Sequence, residues 1–252
     1  ALSKWVSQLG GNTVATLPFL AAFLGEGFNP SPYSPASRLF WNEYYVDIEK
    51  IPELAHCLEA QKILDSPEMK AQIEQVKAST LVDYKKSMAS KRKVLEILSK
   101  FFFVSGQPAR EEAFNRFMKN KPEVRDYAVF RALFEKKKEP WPTWPSEWNA
   151  ETVREGDYEE KVRDYHLYVQ WIADEQLSET AEASKRENVD LFLDFPLGVN
   201  PDSFDVWHYQ SLFALNVRVG APPDTVFTRG QDWGFPPLHP EKIRERGYDY
   251  WI

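Results

Sequence analysis

The stretch VDLFLDFP, residues 189–196, decides the fold class that the sequence predicts. Its first part, Val189 to Leu193, is almost continuously apolar, which is typical of a parallel strand that is covered on both faces. A second β-rich run, Thr13 to Leu17, follows a short helical pattern that ends at Gly10-Gly11. A long, mostly helical stretch separates the two runs. Because an α/β barrel needs eight strands and an open doubly wound sheet usually five or six, two strands predict an incomplete α/β architecture.

The middle of the chain, residues 51–185, carries helical periodicity almost throughout. Thr80-Leu-Val-Asp83 fits a capping box, so we expect Thr80 to cap a long helix that runs towards Phe103. The prolines of PWPTWP, residues 140–145, keep that segment out of helix. Residues 195–207 and 220–239 are predicted to be loops. The predicted helices cover residues 51–64, 80–103, 110–119, 122–136 and 150–180, and a last one runs from Pro240 to Ile252.

Composition excludes several classes of protein. The chain has 252 residues, of which 43% are hydrophobic and 27% charged, as in an ordinary folded protein. Its net charge of −7 argues against a nucleic-acid partner. The longest apolar stretch, residues 17–24, is too short to cross a bilayer, so we expect no membrane partner. The single cysteine, Cys57, excludes an internal disulfide and fits a cytoplasmic protein.

The residue patterns of several common enzyme chemistries are missing from the sequence. The four histidines are scattered and show no metal-ligand spacing, so we expect no metal site. There is no GxSxG, GxGxxG or Walker motif, and we expect no cofactor. Cys57 lies in a helical pattern and is interpreted as a small core residue.

Asp194 and Tyr33 are the first candidate binding residues. Asp194 directly follows the second predicted strand, at the end where α/β folds place their binding groups. Tyr33 lies in SPYSP, residues 31–35, where a proline on either side limits the freedom that the ring would lose on binding. Two alternatives stay open: Asp194 caps the turn that follows it, and Tyr33 packs within its loop.

A second candidate group lies between the two diprolines of residues 220–237. Gln231, Asp232 and Trp233 follow one another on this Pro/Gly-rich loop. A flat ring beside amide and carboxylate groups is typical of sugar recognition, because the C–H face of a pyranose stacks on the ring while its hydroxyls bond to the polar groups. Aromatic residues make up 15% of the chain, more than its core requires. Taken alone, Trp233 fits a core position equally well.

These motifs together resemble a known family. In the order SPYSP (31–35), PWPTWP (140–145), DFPLGVNPDSFDVW (194–207) and GAPPDTVFTRGQDWGFPPLHP (220–240), the chain is similar to the amylomaltase-type 4-α-glucanotransferases, called disproportionating enzyme in plants. The last two motifs in tandem are specific, whereas SPYSP alone is weak. The resemblance spans essentially the whole chain.

The resemblance implies a fold and a division into domains. The family has a (β/α)8 barrel elaborated by helical insertions. This chain would then be an incomplete (β/α)8, TIM-type barrel segment with a large α-helical insertion between two parallel strands. Residues 1–50 would carry the second barrel strand and the active-site loop, residues 51–185 the helical insertion subdomain, and residues 186–252 the third strand and the substrate loop.

The resemblance also implies an activity. The family transfers a segment of an α-1,4-glucan to another glucan with retention, through an Asp nucleophile, a Glu acid/base and a further stabilising Asp. All three are expected after Ile252, so the resemblance predicts no catalytic residue in this chain and no activity of the chain alone. The expected partners are α-1,4-glucans and maltooligosaccharides, in the cytoplasm, or in a plastid if the source is a plant or an alga.

Position by position, the resemblance assigns substrate contacts within this chain. Tyr33 matches an active-site tyrosine that faces the donor sugar, and Asp194 matches an aspartate at the end of the third strand that supports the active centre. Gln231 and Trp233 match a loop that folds over the glucan, with Asp232 between them. Thr225 departs from the pattern, because some relatives have an aromatic residue there.

Two other functions stay open on the residues alone. A non-catalytic glucan-binding module would use Tyr33 and Trp233 without chemistry. A helical protein-interaction scaffold would be built on residues 51–185, although nothing in the loops requires it.

Overall fold

The structure is a computed structural model that describes residues 1–25 and 27–251. Helices dominate its secondary structure, and its strands are short. The helices are α1 (Leu2–Gln8), α2 (Leu58–Asp65), α3 (Pro67–Lys77), α4 (Tyr84–Ser105), α5 (Pro108–Asn120), α6 (Val124–Lys137), α7 (Glu160–Arg186), α8 (Phe204–His208) and α9 (Pro240–Glu245). The strands are β1 (Thr13–Thr16), β2 (Asp190–Leu193), β3 (Gly220–Ala221) and β4 (Gln231–Asp232).

The strands β1 and β2 pair in parallel, as the sequence predicts. Thr13 lies opposite Asp190 and Thr16 opposite Leu193. Helix α7 leads directly into β2 through Asn188, whose φ of 55° places it in the left-handed region that asparagine tolerates. The parallel pair with helices between its strands confirms the α/β class and the large helical insertion.

The expectation that β2 is covered on both faces is wrong for the described residues. Phe192 is 64% exposed, and Leu191 and Leu193 are only half-buried. The reason is that β2 pairs with a single strand in the described part of the chain, so one edge and much of one face meet no neighbour.

Helices α4, α6 and α7 form the centre of the core. Their inward faces include Leu98 of α4, Phe130 of α6 and Ile172 of α7, each fully buried. The apolar spacing that predicts these helices therefore gives the correct buried faces. Residues 21–24 and several between 36 and 60 belong to the same core cluster, as do Phe204 and Trp207 of α8. The division at residues 50 and 185 stays a prediction.

The start of α4 differs from the predicted capping box. Asp83 is the capping residue, and its side chain accepts a hydrogen bond from the Lys86 amide at 3.0 Å. The predicted Thr80 cap is wrong because the helix begins at Tyr84, three residues too late for the Thr80 hydroxyl to reach its first free amides.

Helix α7 begins at Glu160, ten residues after its predicted start. Side chains in the preceding segment bond to nearby backbone amides and build turns in place of a first helical stretch. Asn149 Oδ1 accepts from the Glu151 amide at 3.0 Å, and Asp157 Oδ2 accepts from the Arg154 amide at 2.8 Å. Residues 140–145 avoid the α-helix as predicted and contain only a short 3₁₀ turn, Trp141–Thr143.

Three further boundaries differ from the sequence predictions. The predicted helix over residues 51–64 begins as a 3₁₀ turn, Pro52–His56, and continues as α2. The predicted loop after β2 contains α8, which Ser203 caps by accepting from the Val206 amide. Helix α9 ends at Glu245, because Gly247 and Tyr248 adopt positive φ angles. The predicted helix end at Ile252 lies outside the described residues. Within residues 1–25 and 27–251, no helix has the length and apolar character that a membrane span requires.

Candidate functional site

The site is built around Asp194, at the carboxyl end of β2. The Asp194 amide extends the parallel ladder by donating to the carbonyl of Thr16 at 3.2 Å. One carboxylate oxygen, Oδ2, accepts a hydrogen bond of 2.7 Å from the Tyr33 hydroxyl. The other, Oδ1, accepts from the Phe195 amide at 2.8 Å. Asp194 therefore caps the local turn and also holds the Tyr33 hydroxyl. Its role in binding a ligand stays a prediction.

Tyr33 presents its ring to solvent while its hydroxyl is fixed. Its side chain is 49% exposed. The hydrogen bond to the Asp194 carboxylate raises the pKa of the Tyr33 hydroxyl above its usual value. The hydroxyl is therefore protonated at neutral pH and acts as the donor in this pair.

The SPYSP loop is fastened to the loop that follows Asp194. The Ser34 hydroxyl accepts hydrogen bonds from the Asn29 and Asn200 side-chain amides, both at 3.2 Å. The Asn200 backbone amide donates to the carbonyl of Pro35 at 3.0 Å. These bonds, together with the stiff prolines, fix the position of Tyr33 relative to Asp194.

The second candidate group lies on a short hairpin formed by β3 and β4. Gly220 pairs with Asp232, and a Cβ added at Gly220 would lie 2.0 Å from the Gln231 carbonyl oxygen. Only glycine therefore allows the two strands to approach this closely. Gly230, with φ +74°, supplies the left-handed residue directly before β4.

The polar groups of this hairpin bond to one another around an exposed indole. The Trp233 indole N–H donates to Gln231 Oε1 at 3.2 Å, and the ring is 45% exposed. Asp232 Oδ1 accepts from the Gly234 amide at 2.8 Å, and Oδ2 lies 3.4 Å from the Arg218 guanidinium. An exposed ring beside an amide and a carboxylate that hydrogen bonds already hold in position is suited to a ligand with many hydroxyls.

The two groups are connected through packing. Phe235 lies against Gly198, four residues after Asp194, and a Cβ added at Gly198 would lie 2.1 Å from the Phe235 ring. Phe235 also stacks on Trp233, with the ring centres 6.3 Å apart. Tyr33 bonds directly to Asp194, and Gln231 to Trp233. Among residues 1–25 and 27–251, no hydrogen bond joins the first pair to the second.

Sequence reasoning missed a buried polar cluster behind the site, formed by Arg38, Asp205 and Tyr250. Asp205 is fully buried, and burial raises the pKa of its carboxyl group. Its Oδ2 accepts from the Arg38 amide at 2.9 Å and from the Tyr250 hydroxyl at 2.7 Å. The three residues are distant in sequence and share no periodicity. Only Asp205 lies in a motif, residues 194–207, and an aspartate within the otherwise apolar run FDVW is the one signal that could have drawn attention to the cluster.

This cluster supports the loop that follows Asp194. The Arg38 guanidinium donates to the carbonyls of Pro196 at 3.4 Å and Leu197 at 3.3 Å. It also lies 5.1 Å from the centre of the Phe195 ring and 4.3 Å from that of Trp251. The backbone of the loop is therefore held by a cation that aromatic rings surround and that also donates to the Tyr250 hydroxyl at 3.2 Å.

Cys57 and His166 lie among the helices and not at this site. Cys57 is buried between a 3₁₀ turn and α2, and His166 is buried in α7. In the described part of the chain, no group of three or more His, Cys, Asp or Glu side chains is arranged to hold a metal ion.

Comparison with known proteins identifies the family. A family model described as 4-alpha-glucanotransferase matches residues 1–252. The chain belongs to the 4-alpha-glucanotransferase family. A 4-alpha-glucanotransferase of Mycobacterium bovis is 31% identical over 262 aligned positions, which cover 98% of this chain and 35% of that protein.

Solved structures of this family support the fold. The crystal structure of amylomaltase from Corynebacterium glutamicum superposes with a TM-score of 0.84 at 27% identity, covering 99% of this chain and 34% of that one. Amylomaltase from Streptococcus agalactiae in complex with acarbose superposes with a TM-score of 0.75 at 22% identity, over 99% of this chain and half of that one, and it supports the fold alone. The chain thus spans about a third of the curated 4-alpha-glucanotransferases that it matches.

Proposed function

We propose that the full-length protein is a 4-α-glucanotransferase that moves α-1,4-glucan segments between maltooligosaccharides with retention of configuration. The observation that carries this proposal is the Tyr33–Asp194 hydrogen bond of 2.7 Å at the carboxyl end of β2. It occurs in a chain that the family model matches throughout. In α/β barrels this end of a strand is where substrate is bound.

In this proposal the residues of the site bind and position the glucan. Tyr33 faces the donor sugar, and Asp194 holds the Tyr33 hydroxyl in place. Trp233 offers a stacking face, while Gln231 and Asp232 bond to sugar hydroxyls. By covering the glucan, this hairpin limits access of water, so that a sugar hydroxyl and not water completes the reaction.

The bond-breaking groups are proposed to come from residues after 252. In a retaining double displacement, a carboxylate attacks the anomeric carbon while a carboxylic acid protonates the departing sugar oxygen. A hydroxyl of the acceptor glucan then gives its proton to the same residue and displaces the enzyme carboxylate. We propose a division into three parts. Residues 1–50 form a first part of the barrel, residues 51–185 the helical insertion, and residues 186–252 a second part of the barrel.

The experiment that tests the activity is disproportionation of maltotriose by the full-length protein. Formation of glucose together with longer maltooligosaccharides, without net growth in reducing ends, supports transfer. Growth in reducing ends would show hydrolysis, and no product at all would contradict the proposal. We also propose a cytoplasmic location, or a plastid in a plant or alga, which cell fractionation tests.

A non-catalytic glucan-binding module is the second candidate. The exposed rings of Tyr33 and Trp233 favour it, since both are available for sugar without any catalytic group. Affinity electrophoresis of the 252-residue chain in glycogen gels separates the outcomes. Retardation by glycogen supports binding by this segment, and migration equal to that in a plain gel contradicts it.

A further inference from the structure

A cavity of about 640 Å³ lies on the side of the molecule formed by residues 140–151 and α8. Four tryptophans line it: Trp141, Trp144, Trp148 and Trp207. Trp141 and Trp144 come from PWPTWP, Trp148 lies three residues after that motif, and Trp207 ends FDVW. None of these four rings is part of the Tyr33–Asp194 site. A cavity of this size is in the range that binds small organic ligands.

The walls of this tryptophan cavity are rigid. The Trp144 indole N–H donates to the Glu139 carbonyl at 2.9 Å, and the Trp207 indole N–H donates to the Trp148 carbonyl at 3.0 Å. Trp144 and Trp207 are buried and form the floor, whereas Trp141 and Trp148 are half-exposed and form the rim. Because the prolines at 140, 142 and 145 stiffen this segment, its rings lose little freedom when a ligand binds.

The chemistry of the lining indicates a neutral polyhydroxyl ligand. Ser146, Asn149, Gln210 and Ser211 supply hydroxyl and amide groups around the rings, and Glu151 supplies a carboxylate. The described residues that line the cavity include neither lysine nor arginine, which argues against a phosphate or other anionic ligand. Aromatic faces beside hydroxyls and amides match the alternating apolar and polar surfaces of a glucose unit.

The cavity is joined to the Tyr33–Asp194 site by one loop. The Trp141 indole N–H donates to the Pro201 carbonyl at 3.1 Å. The residue before it, Asn200, bonds to Ser34 and Pro35 of the SPYSP loop. The two sites are therefore fixed relative to each other, so a glucan long enough to reach both would be kept at high local concentration near the second.

We propose that the tryptophan cavity is a second contact site for α-1,4-glucan, used by long chains and not by maltotriose. The inference rests on the proposed function, because it takes the same substrate class. It predicts that blocking the cavity weakens binding of long glucans while the Tyr33–Asp194 site keeps its own affinity.

The test uses the full-length protein with Ser211→Arg, which places a bulky side chain in the cavity from an exposed position. Trp148→Ala is a second variant that removes a rim ring. Ser178→Arg, an exposed serine on α7 outside the cavity, is the matched control. The measurements are glycogen affinity electrophoresis and the KM for amylose and for maltotriose.

Both cavity variants are expected to raise the ratio of the amylose KM to the maltotriose KM by about two- to tenfold, because each removes or blocks at least one aromatic contact with the glucan. Both are also expected to migrate faster in glycogen gels. The control, Ser178→Arg, is expected to change neither the KM ratio nor the migration. An unchanged KM ratio and unchanged migration in both cavity variants would overturn the inference and leave the proposed function standing. Lack of transfer by the unmodified protein would instead reject the proposed function.

Discussion

Tyr33 and Asp194 are distant in sequence, yet the hydroxyl of one lies 2.7 Å from the carboxylate of the other. Each residue has a local signal: a loop between prolines for Tyr33 and a strand end for Asp194. Their contact has none, because it depends on the parallel pairing of β1 with β2 and on Asn200 holding the SPYSP loop. Sequence reasoning therefore predicts the two members of the pair but not the bond between them.

The hydrogen bond between Tyr33 and Asp194 can be tested by replacing either of its two groups. In the full-length protein, Asp194→Asn and Tyr33→Phe each leave the side-chain volume nearly unchanged but weaken or remove the bond. We expect Asp194→Asn to lower the transfer rate on maltotriose by about one to a few orders of magnitude, as lost positioning typically does. Tyr45→Phe is the control, because Tyr45 has the same 49% exposure as Tyr33. A wild-type rate in Asp194→Asn would show that the site is misplaced.

The exposed indole of Trp233 is the second test at this scale. Removing the ring in Trp233→Ala takes away the stacking face and the partner of Gln231. We expect transfer to fall by about one to a few orders of magnitude, with a rise in KM for maltooligosaccharides. Trp5→Ala, on exposed α1, controls for the loss of a surface tryptophan. Equal kinetics of the two variants would contradict a role for Trp233.

Among the elements, the long helices were the easiest to predict and their first residues the hardest. The apolar spacing of α4 and α7 reflects burial in one core, so periodicity finds them. Their starts depend on which side chain bonds to which amide. Nearby backbone amides donate to the side chains of Asp83, Asn149 and Asp157. Because a sequence contains several such polar residues near every helix start, it does not show which of them forms the cap. The β3–β4 hairpin was missed because two-residue strands carry no periodicity.

The cap of α4 can be tested directly, since the sequence and the structure name different residues. We expect Asp83→Ala to lower the midpoint of urea unfolding, because the Lys86 amide loses its partner. The bond to this amide also lowers the pKa of the Asp83 carboxyl group, so the capping group is ionised at neutral pH. Thr80→Ala is expected to change the midpoint less. A larger shift for Thr80→Ala would restore the capping box that the sequence predicts.

At the scale of the whole molecule, ionisable side chains connect the core helices. His166 of α7 is fully buried, and its Nε2 lies 2.7 Å from a Glu135 carboxylate oxygen on α6. Glu135 is also paired with Arg92 of α4 at 2.6 Å. These three groups link three helices, and His166 is the one whose ordinary pKa lies near neutral pH. Their partners come from three separate helices, so a single helical pattern does not predict them.

Burial, followed by the nearby Arg131, lowers the pKa of His166 below its usual 6.5. Below pH 6.5 the His166 imidazole therefore binds a proton in the unfolded chain but not in the folded chain. As a result, the free energy of unfolding falls as pH falls. The Arg92 guanidinium beside Glu135 holds the pKa of that carboxyl group below its usual range, so the carboxylate stays ionised in this window. We expect urea unfolding between pH 7 and about 5 to show this slope. His166→Gln should flatten it, whereas His56→Gln, at an exposed position, should not.

The last prediction at this scale is that different parts of the full-length protein bind the glucan and break its glycosidic bond. Tyr33, Asp194 and Trp233 are the proposed binding residues. A retaining transfer also requires two carboxyl groups about 5 to 5.5 Å apart on either side of the glycosidic bond. In the proposed function those groups come from residues after 252. We therefore expect the 252-residue chain alone to release no glucose from maltotriose above a blank, while the full-length protein does. Mixing the chain with a separately produced remainder of the protein controls for misfolding, since regained activity requires a folded chain. Glucose release by the chain alone would mean that its own acidic residues carry out the reaction.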